Sequence, residues 1–340
     1  MRVLLKEAHA TLFCMAVAIL VTAAARTGAA ASIEEVCRLV QSQGMGLESN
    51  AARVAAIEGM LKAVDPEARI LAADQVADAR EGPSVDRCEE WPEGIGYVRV
   101  TGLRDNGGRQ IATQLVAWAG AGRAGAIVDT RGAGGASLSS VEELAGLFMQ
   151  AGQPLYRVKP LRGKTGEPRR ASRAAGSINR LPVMLLVDDR TRDACALLAA
   201  ALKGRAAVML IGAPTRPEPR VREFIRLSDG EAVFMATGWV VEAAGADLPP
   251  ASVTPDVVVD GETAKAAPVS KDGLSSKPPS EKAVQDRRLM EKVSGDVCLA
   301  RATDILLGLK AVGARRGMAE GEAGVPSTNF PAAPANSISE

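Results

Sequence analysis

Ala124-Gly125-Ala126-Ile127-Val128-Asp129-Thr130-Arg131-Gly132-Ala133-Gly134-Gly135 is the stretch whose reading decides the fold. It opens as a short apolar run and closes in a glycine-rich turn, the pattern of a strand buried on both faces. Working outward from it, strands and helices alternate. Ile95–Thr101 reads as a strand, residues 108–120 as a helix, residues 138–151 as a helix and Pro154–Val158 as a strand. Pro182–Val187 is a buried strand, Arg192–Lys203 an Ala/Leu-rich helix, and Ala206–Ile211 another strand. Residues 221–227 and 231–241 read as a hairpin around Ser228-Asp229-Gly230. This alternation predicts an α/β core with helices packed on a sheet.

Upstream, residues 33–43 and 50–64 carry apolar residues at helical spacing: Val36, Leu39 and Val40, then Val54, Ile57, Leu61 and Val64. Residues 66–94 are polar and punctuated by Pro and Gly, so a short helix and a linker are expected there. The basic stretch 160–180 reads as a loop. Residues 262–282 have the composition of a disordered linker, residues 284–312 regain helical spacing, and the tail from 313 reads as unstructured.

The N-terminus has the layout of a cleaved export signal. Arg2 and Lys6 precede an apolar run from Thr11 to Ala25, and Ala29-Ala30-Ala31 stand before Ser32. The run is short for a membrane span of ~20 residues, so no span is expected after cleavage; an uncleaved anchor is the alternative. The expected location is periplasmic or extracellular. Cys37, Cys88, Cys195 and Cys298 remain downstream of the signal. A disulfide among Cys37, Cys88 and Cys298 and unpaired buried thiols both suit these positions.

Composition narrows the chemistry. Lys+Arg 41 against Asp+Glu 40 gives a net charge of +1, and aromatics are 3% of the chain. Neither an electrostatic footprint for nucleic acid nor a stacking platform is present. The single histidine is His9, inside the signal. The exported chain is therefore expected to have no Ser-His-Asp or Cys-His catalysis, no metal site and no cofactor.

Several segments, read in order, resemble the tail-specific (C-terminal processing) serine peptidases. They are Ala55-Ala56-Ile57-Glu58-Gly59-Met60-Leu61 with Asp65-Pro66, then Gly94-Ile95-Gly96-Tyr97-Val98-Arg99-Val100, then the Asp129-Thr130-Arg131-Gly132 turn. Ile225 to Gly230, Val253 to Val257, and Gly295-Asp296 with Leu299, Ala302 and Leu306 follow. The resemblance implies an α/β fold, the crotonase-like core of that family, with a small N-terminal helical segment and a C-terminal helix. It divides the chain into a signal (1–31), a helical segment and linker (32–93), the peptidase-like domain (94–261), a linker (262–283), a closing helix (284–312) and a tail (313–340). The family's PDZ domain has no counterpart, because residues 66–94 are too few to form one.

The resemblance also places the catalytic positions, and this chain departs from the family at each. Asp193, in Thr191-Arg192-Asp193-Ala194-Cys195-Ala196, stands where the attacking Ser belongs. Glu218 stands at the Lys position and Arg222 at the position of an orienting Gln. A Ser–Lys dyad needs a hydroxyl and a desolvated amine, and neither is present at these positions. Pairing of Asp193 with Arg222, or N-capping by Asp193, is expected over a shared-proton Asp193–Glu218 pair. Cys195 is a second candidate nucleophile, against a structural buried thiol. Gly132, Gly134 and Gly135 with the Ala194 amide are oxyanion candidates, against a tight turn that requires glycine. The expected function is an inactive homologue that binds peptide or protein C-terminal segments. The alternatives are a serine-type or cysteine-type peptidase with altered catalytic residues, and a structural partner of an active homologue.

Overall fold

The computed structural model describes residues 32–43, 49–172, 178, 180–217, 219–228, 230–244, 252–259 and 281–322. The signal, Glu218, Asp229 and nearly all of the 262–283 linker lie outside the described residues. In chain order the elements begin with α1 (Ile33–Ser42), α2 (Ser49–Val64), β1 (Arg69–Leu71), α3 (Ala73–Glu81), β2 (Val85–Trp91), β3 (Ile95–Val100) and β4 (Gly102–Leu103). Then come α4 (Gly107–Gly120), β5 (Gly125–Asp129), β6 (Gly134–Gly135), α5 (Leu138–Ala145), β7 (Pro154–Pro160), β8 (Arg169–Arg170) and β9 (Val183–Val187). The remainder are α6 (Asp193–Leu202), β10 (Val208–Gly212), β11 (Arg220–Arg226), β12 (Ala232–Glu242), β13 (Val257–Val258), α7 (Glu281–Val293) and α8 (Val297–Glu322).

Contacts divide the chain into two compact units. The first holds the residues up to Leu71 together with Ile225–Met235. In it, Ser32 caps α1 by accepting the Glu35 amide at 3.1 Å. β1 pairs antiparallel with the start of β12, Arg69 opposite Phe234, and the Arg69 guanidinium lies 5.0 Å from that ring. The helices form where the spacing predicts, yet Val36, Leu39, Val54 and Val64 of their apolar positions are exposed.

The second unit, Ala72–Phe224 with Ala236 onward, holds the α/β core. Its main sheet runs in the order β13-β10-β9-β5-β3-β2. β3, β5, β9, β10 and β13 are parallel, and β2 runs antiparallel at the edge. Every residue of β5 and β9 is buried, which is why both read as uninterrupted apolar runs rather than alternating ones. One core layer joins this sheet to α4, α5 and α6 through Leu115, Trp118, Val141, Leu185 and Leu198. The other joins it to α7 and α8 through Ile95, Ile127, Leu186, Leu289 and Leu306. Each fully buried Leu or Ile contributes about 1.5–3 kcal/mol, so the two layers are the main source of the unit's stability.

The expected α/β class is observed, with differences in detail. Residues 66–94 are not chiefly linker: they carry β1, α3 and β2. β2 reads as polar because it is an edge strand, with Asp86, Arg87, Cys88 and Glu90 exposed and only Trp91 buried. Such edge charges discourage pairing with other chains. The helix expected over 138–151 stops at Ala145, and the 160–180 loop contains β8. The single closing helix is two, broken at Gly295 with φ 80, and α8 continues to Glu322 rather than ending at 312. Cys37, Cys88, Cys195 and Cys298 are all unpaired, so the disulfide reading is not realised.

Candidate active site

The Asp129-Thr130-Arg131-Gly132 turn leaves β5 and is fixed by charge. Asp129 is buried and accepts from Arg99 Nη1 at 2.6 Å, Arg131 Nε at 2.9 Å, Arg131 Nη2 at 2.7 Å and the Tyr97 hydroxyl at 3.2 Å. Arg131 also forks onto Asp296, Nη1 to Oδ1 at 3.0 Å and Nη2 to Oδ2 at 2.7 Å. Burial opposes the charge on Arg131, but these two carboxylates outweigh it and hold the guanidinium ionised. Asp296 in turn accepts the Leu299 amide at 3.0 Å, capping α8. The Asp-Thr-Arg turn and the Gly295-Asp296 segment, distant in sequence, therefore form one ion network that ties α8 to the carboxyl end of β5.

Next along the turn, Gly132 donates its amide to Asp188 Oδ1 at 2.8 Å. Asp188 follows β9 and also receives the Thr191 hydroxyl at 2.9 Å and the Arg190 amide at 3.1 Å. Burial works against its charge, but these donors prevail and hold the carboxyl below the ordinary aspartate range. Gly134 and Gly135 pair in parallel with Gly102 and Leu103. Gly135 has φ 116, and a Cβ there would sit 2.3 Å from the Leu103 carbonyl oxygen. Glycine is thus required by the turn itself. A Cβ on Gly134 would lie 3.0 Å from Arg192 Cγ, so the Arg192 stem covers that glycine. Arg192 Nη1 reaches the carbonyls of Gly132 at 3.3 Å and Arg190 at 3.4 Å.

Asp193 opens α6 with φ 47, a left-handed conformation that Asp tolerates better than most residues. It is 6% exposed. Its Oδ2 accepts from Arg222 Nε at 3.1 Å, and its Oδ1 from the Arg220 amide at 3.2 Å. The Arg222 side chain is equally withdrawn from solvent, at 5%. The carboxylate therefore bridges the N-terminus of α6, where negative charge is favoured, to the start of β11. Of the two roles the sequence offers Asp193, pairing with Arg222 and N-capping, the bond to Arg222 is present. Glu218 lies outside the described residues; its neighbour Pro219 is buried and accepts the Val240 amide at 3.0 Å. Ala194 lies in the first turn of α6, whose amides have no partner within the helix.

Cys195 is fully buried, and its thiol donates to the Gly134 carbonyl at 2.9 Å. Burial pushes the thiol up to about 12, where almost no thiolate exists at neutral pH. The geometry is that of a structural thiol packed behind the glycine turn. Ser137, the serine next to that turn, caps α5 through the Ser140 amide at 3.3 Å and is 5% exposed. Among the described residues no cluster of His, Cys, Asp or Glu could hold a metal ion, and no helix is long and apolar enough to cross a membrane.

This order of turn, helix start and sheet has a counterpart among known proteins. Residues 94–259 match the model of peptidase family S41. The S41-like stretch begins just before β3 and ends just past β13, so it takes in all the parallel strands of the main sheet. A carboxyl-terminal-processing protease of Synechocystis sp. is 27% identical over 188 residues, covering 55% of this chain and 41% of that protein. A protein of the same name from Picosynechococcus sp. is 24% identical over 229 residues, covering 66% of this chain and 54% of that one. The chain thus spans roughly half or less of these S41-type relatives. A solved photosystem II D1 C-terminal processing protease aligns at 25% identity with a TM-score of 0.39, over 57% of this chain and 48% of that one. The chain resembles the tail-specific peptidases, as its motifs imply.

The residues the sequence points to are Asp193, Glu218, Arg222, Cys195, the glycines and Ala194, and of these Glu218 lies outside the described residues. Sequence reading missed Arg192 as the cover over Gly134, Asp188 as the clamp on Gly132, and the Arg99–Asp129–Arg131–Asp296 network. Only the last left a signal, since Asp129-Thr130-Arg131 and Gly295-Asp296 were both noted as separate motifs.

Proposed function

We propose that this protein is an exported homologue of the C-terminal processing peptidases that binds the tails of other proteins without cleaving them. The observation that carries the reading is the buried ion pair between Asp193 and Arg222. The resemblance assigns Asp193 to the place of the attacking serine, and a carboxylate locked to a guanidinium has no hydroxyl to deliver. With Glu218 at the lysine position, that position offers no amine as base. Cys195 is excluded from attack by its burial and its bond to Gly134. What persists is the peptidase-like α/β core, and the reading assigns tail binding to that core.

The test is binding with inspection of the bound peptide. Fluorescein-labelled peptides with apolar C-termini are titrated with purified protein, anisotropy is recorded, and the peptides are recovered for mass spectrometry. The reading predicts saturable binding and intact peptides. Absence of binding, or cleavage that disappears in Asp193→Ala, overturns it. Co-purification of a catalytic homologue with the protein would replace it by the structural-partner reading.

A further inference from the structure

A cavity of about 460 Å³ opens at the carboxyl ends of β5, β9 and β10, flanked by β2, β3 and the junction between α7 and α8. The carboxyl ends of parallel strands are where open α/β sheets commonly receive ligands. The groups lining this cavity are unevenly satisfied. Its carboxylates are fully engaged: Asp129 and Asp296 by Arg131, Asp188 by Gly132 and Thr191, and Glu89 by Lys292 at 2.6 Å and the Trp91 indole at 2.9 Å. Arg131 is spent on Asp129 and Asp296, but the other guanidiniums are not so committed. Among the described residues Arg99 makes a single side-chain bond, through Nη1 to Asp129, and its side chain is 27% exposed. A guanidinium has five donors, so most of those on Arg99 are uncommitted. Among the described residues Arg87 makes a 3.5 Å ion pair with Asp86 and lies 5.9 Å from the Tyr97 ring. Arg190 is 75% exposed and touches Asp188 through long contacts at 3.3 and 3.4 Å.

We infer that this cavity is a carboxylate-binding site, with Arg99 and Arg190 as its donors. Surplus donors beside saturated acceptors call for an acceptor-rich ligand. Of the described lining residues five are basic and four acidic, a surplus of one positive charge. That balance matches a monoanion and undercompensates a phosphate dianion. The planar guanidinium forks suit a planar carboxylate. The volume admits a small ligand or the last residues of a chain. A free monocarboxylic acid and a chain-terminal carboxylate share this chemistry. The site shares no residue with the Asp193–Arg222 pair, so it stands whether or not that pair is inert.

The experiment titrates the purified protein, in carboxylate-free low-salt buffer, with four probes: acetate, acetyl-dialanine, the C-terminal amide of acetyl-dialanine, and inorganic phosphate. Binding is read by melting-temperature shift and by fluorescence of Trp91, which stacks on Tyr97 at 4.5 Å in the cavity wall. Acetyl-dialanine is expected to saturate and its amide to have no effect. Acetate saturating as well assigns the site to small acids; acetate failing assigns it to chain ends. Arg99→Gln and Arg190→Gln should each weaken binding at least tenfold. Arg190 is surface-exposed, so its variant keeps the fold intact and preserves the test if Arg99→Gln misfolds. No saturation by either acid, equal binding of the amide, tighter binding of phosphate, or indifference to Arg190→Gln would overturn the inference.

Discussion

Replacing Arg222 by Met removes one half of a pair in which both side chains are almost wholly buried, 5% exposed for Arg222 and 7% for Asp193. The aspartate keeps the Arg220 amide at 3.2 Å but loses its 3.1 Å guanidinium partner. Removing one partner of a buried ion pair costs about 3–5 kcal/mol. For a unit of this size, 1 kcal/mol corresponds to a melting shift of roughly 2–4 °C, so a loss of roughly 6–20 °C is expected. Urea unfolding followed by tryptophan fluorescence is the suitable assay, because Trp91, Trp118 and Trp239 all belong to the second unit. Asp193→Asn combined with Arg222→Met should recover most of the loss, since it removes the charge along with its partner. An Arg222→Met variant within about 0.5 kcal/mol of the parent protein, the range of ordinary surface substitutions, would refute the claim that this pair is a structural lock.

Further predictions concern the turn, the closing helix and the thiols. Gly135→Ala forces a Cβ into the Leu103 backbone at a φ of 116 and should cost about 2–4 kcal/mol, measured by the same urea series. Arg131→Met leaves Asp129 buried and Asp296 without its fork, and should cost about 3–5 kcal/mol, with proteolysis beginning in α8. On pH, burial alone would raise the Asp296 carboxyl, but Arg131 and the Leu299 and Cys298 amides outweigh it and hold it low. A depressed folded pKa means its stabilisation is present above about pH 4 and is lost as pH falls through the folded value, so acid unfolding should be less steep in Asp296→Asn. In the native protein at pH 8, iodoacetamide should label exposed Cys88 and leave Cys195 untouched; labelling of Cys195 would reopen the cysteine-type peptidase reading.

The strands at β5 and β9 were legible because burial on both faces writes a continuous apolar run, and α4 and α6 because their apolar spacing is helical. β2 was not, because an edge strand carries charges on its open side and reads as linker. The break at Gly295 was hidden for a different reason: α7 and α8 share one apolar rhythm, and only the backbone conformation separates them. At the site, the sequence leaves Asp193 either to pair with Arg222 or to cap a helix, and the structure shows the bond to Arg222. Arg192 could not be placed, since its role depends on where its stem falls across Gly134, a matter of packing rather than of spacing.

The most direct measurement is turnover. Purified protein is incubated with an unfolded polypeptide bearing an apolar tail, and intact-mass spectrometry follows the substrate for a day beside a protein-free control. The account predicts the same mass spectrum in both. Shortened products that form with the parent protein, and fail to form with Asp193→Ala, would contradict it.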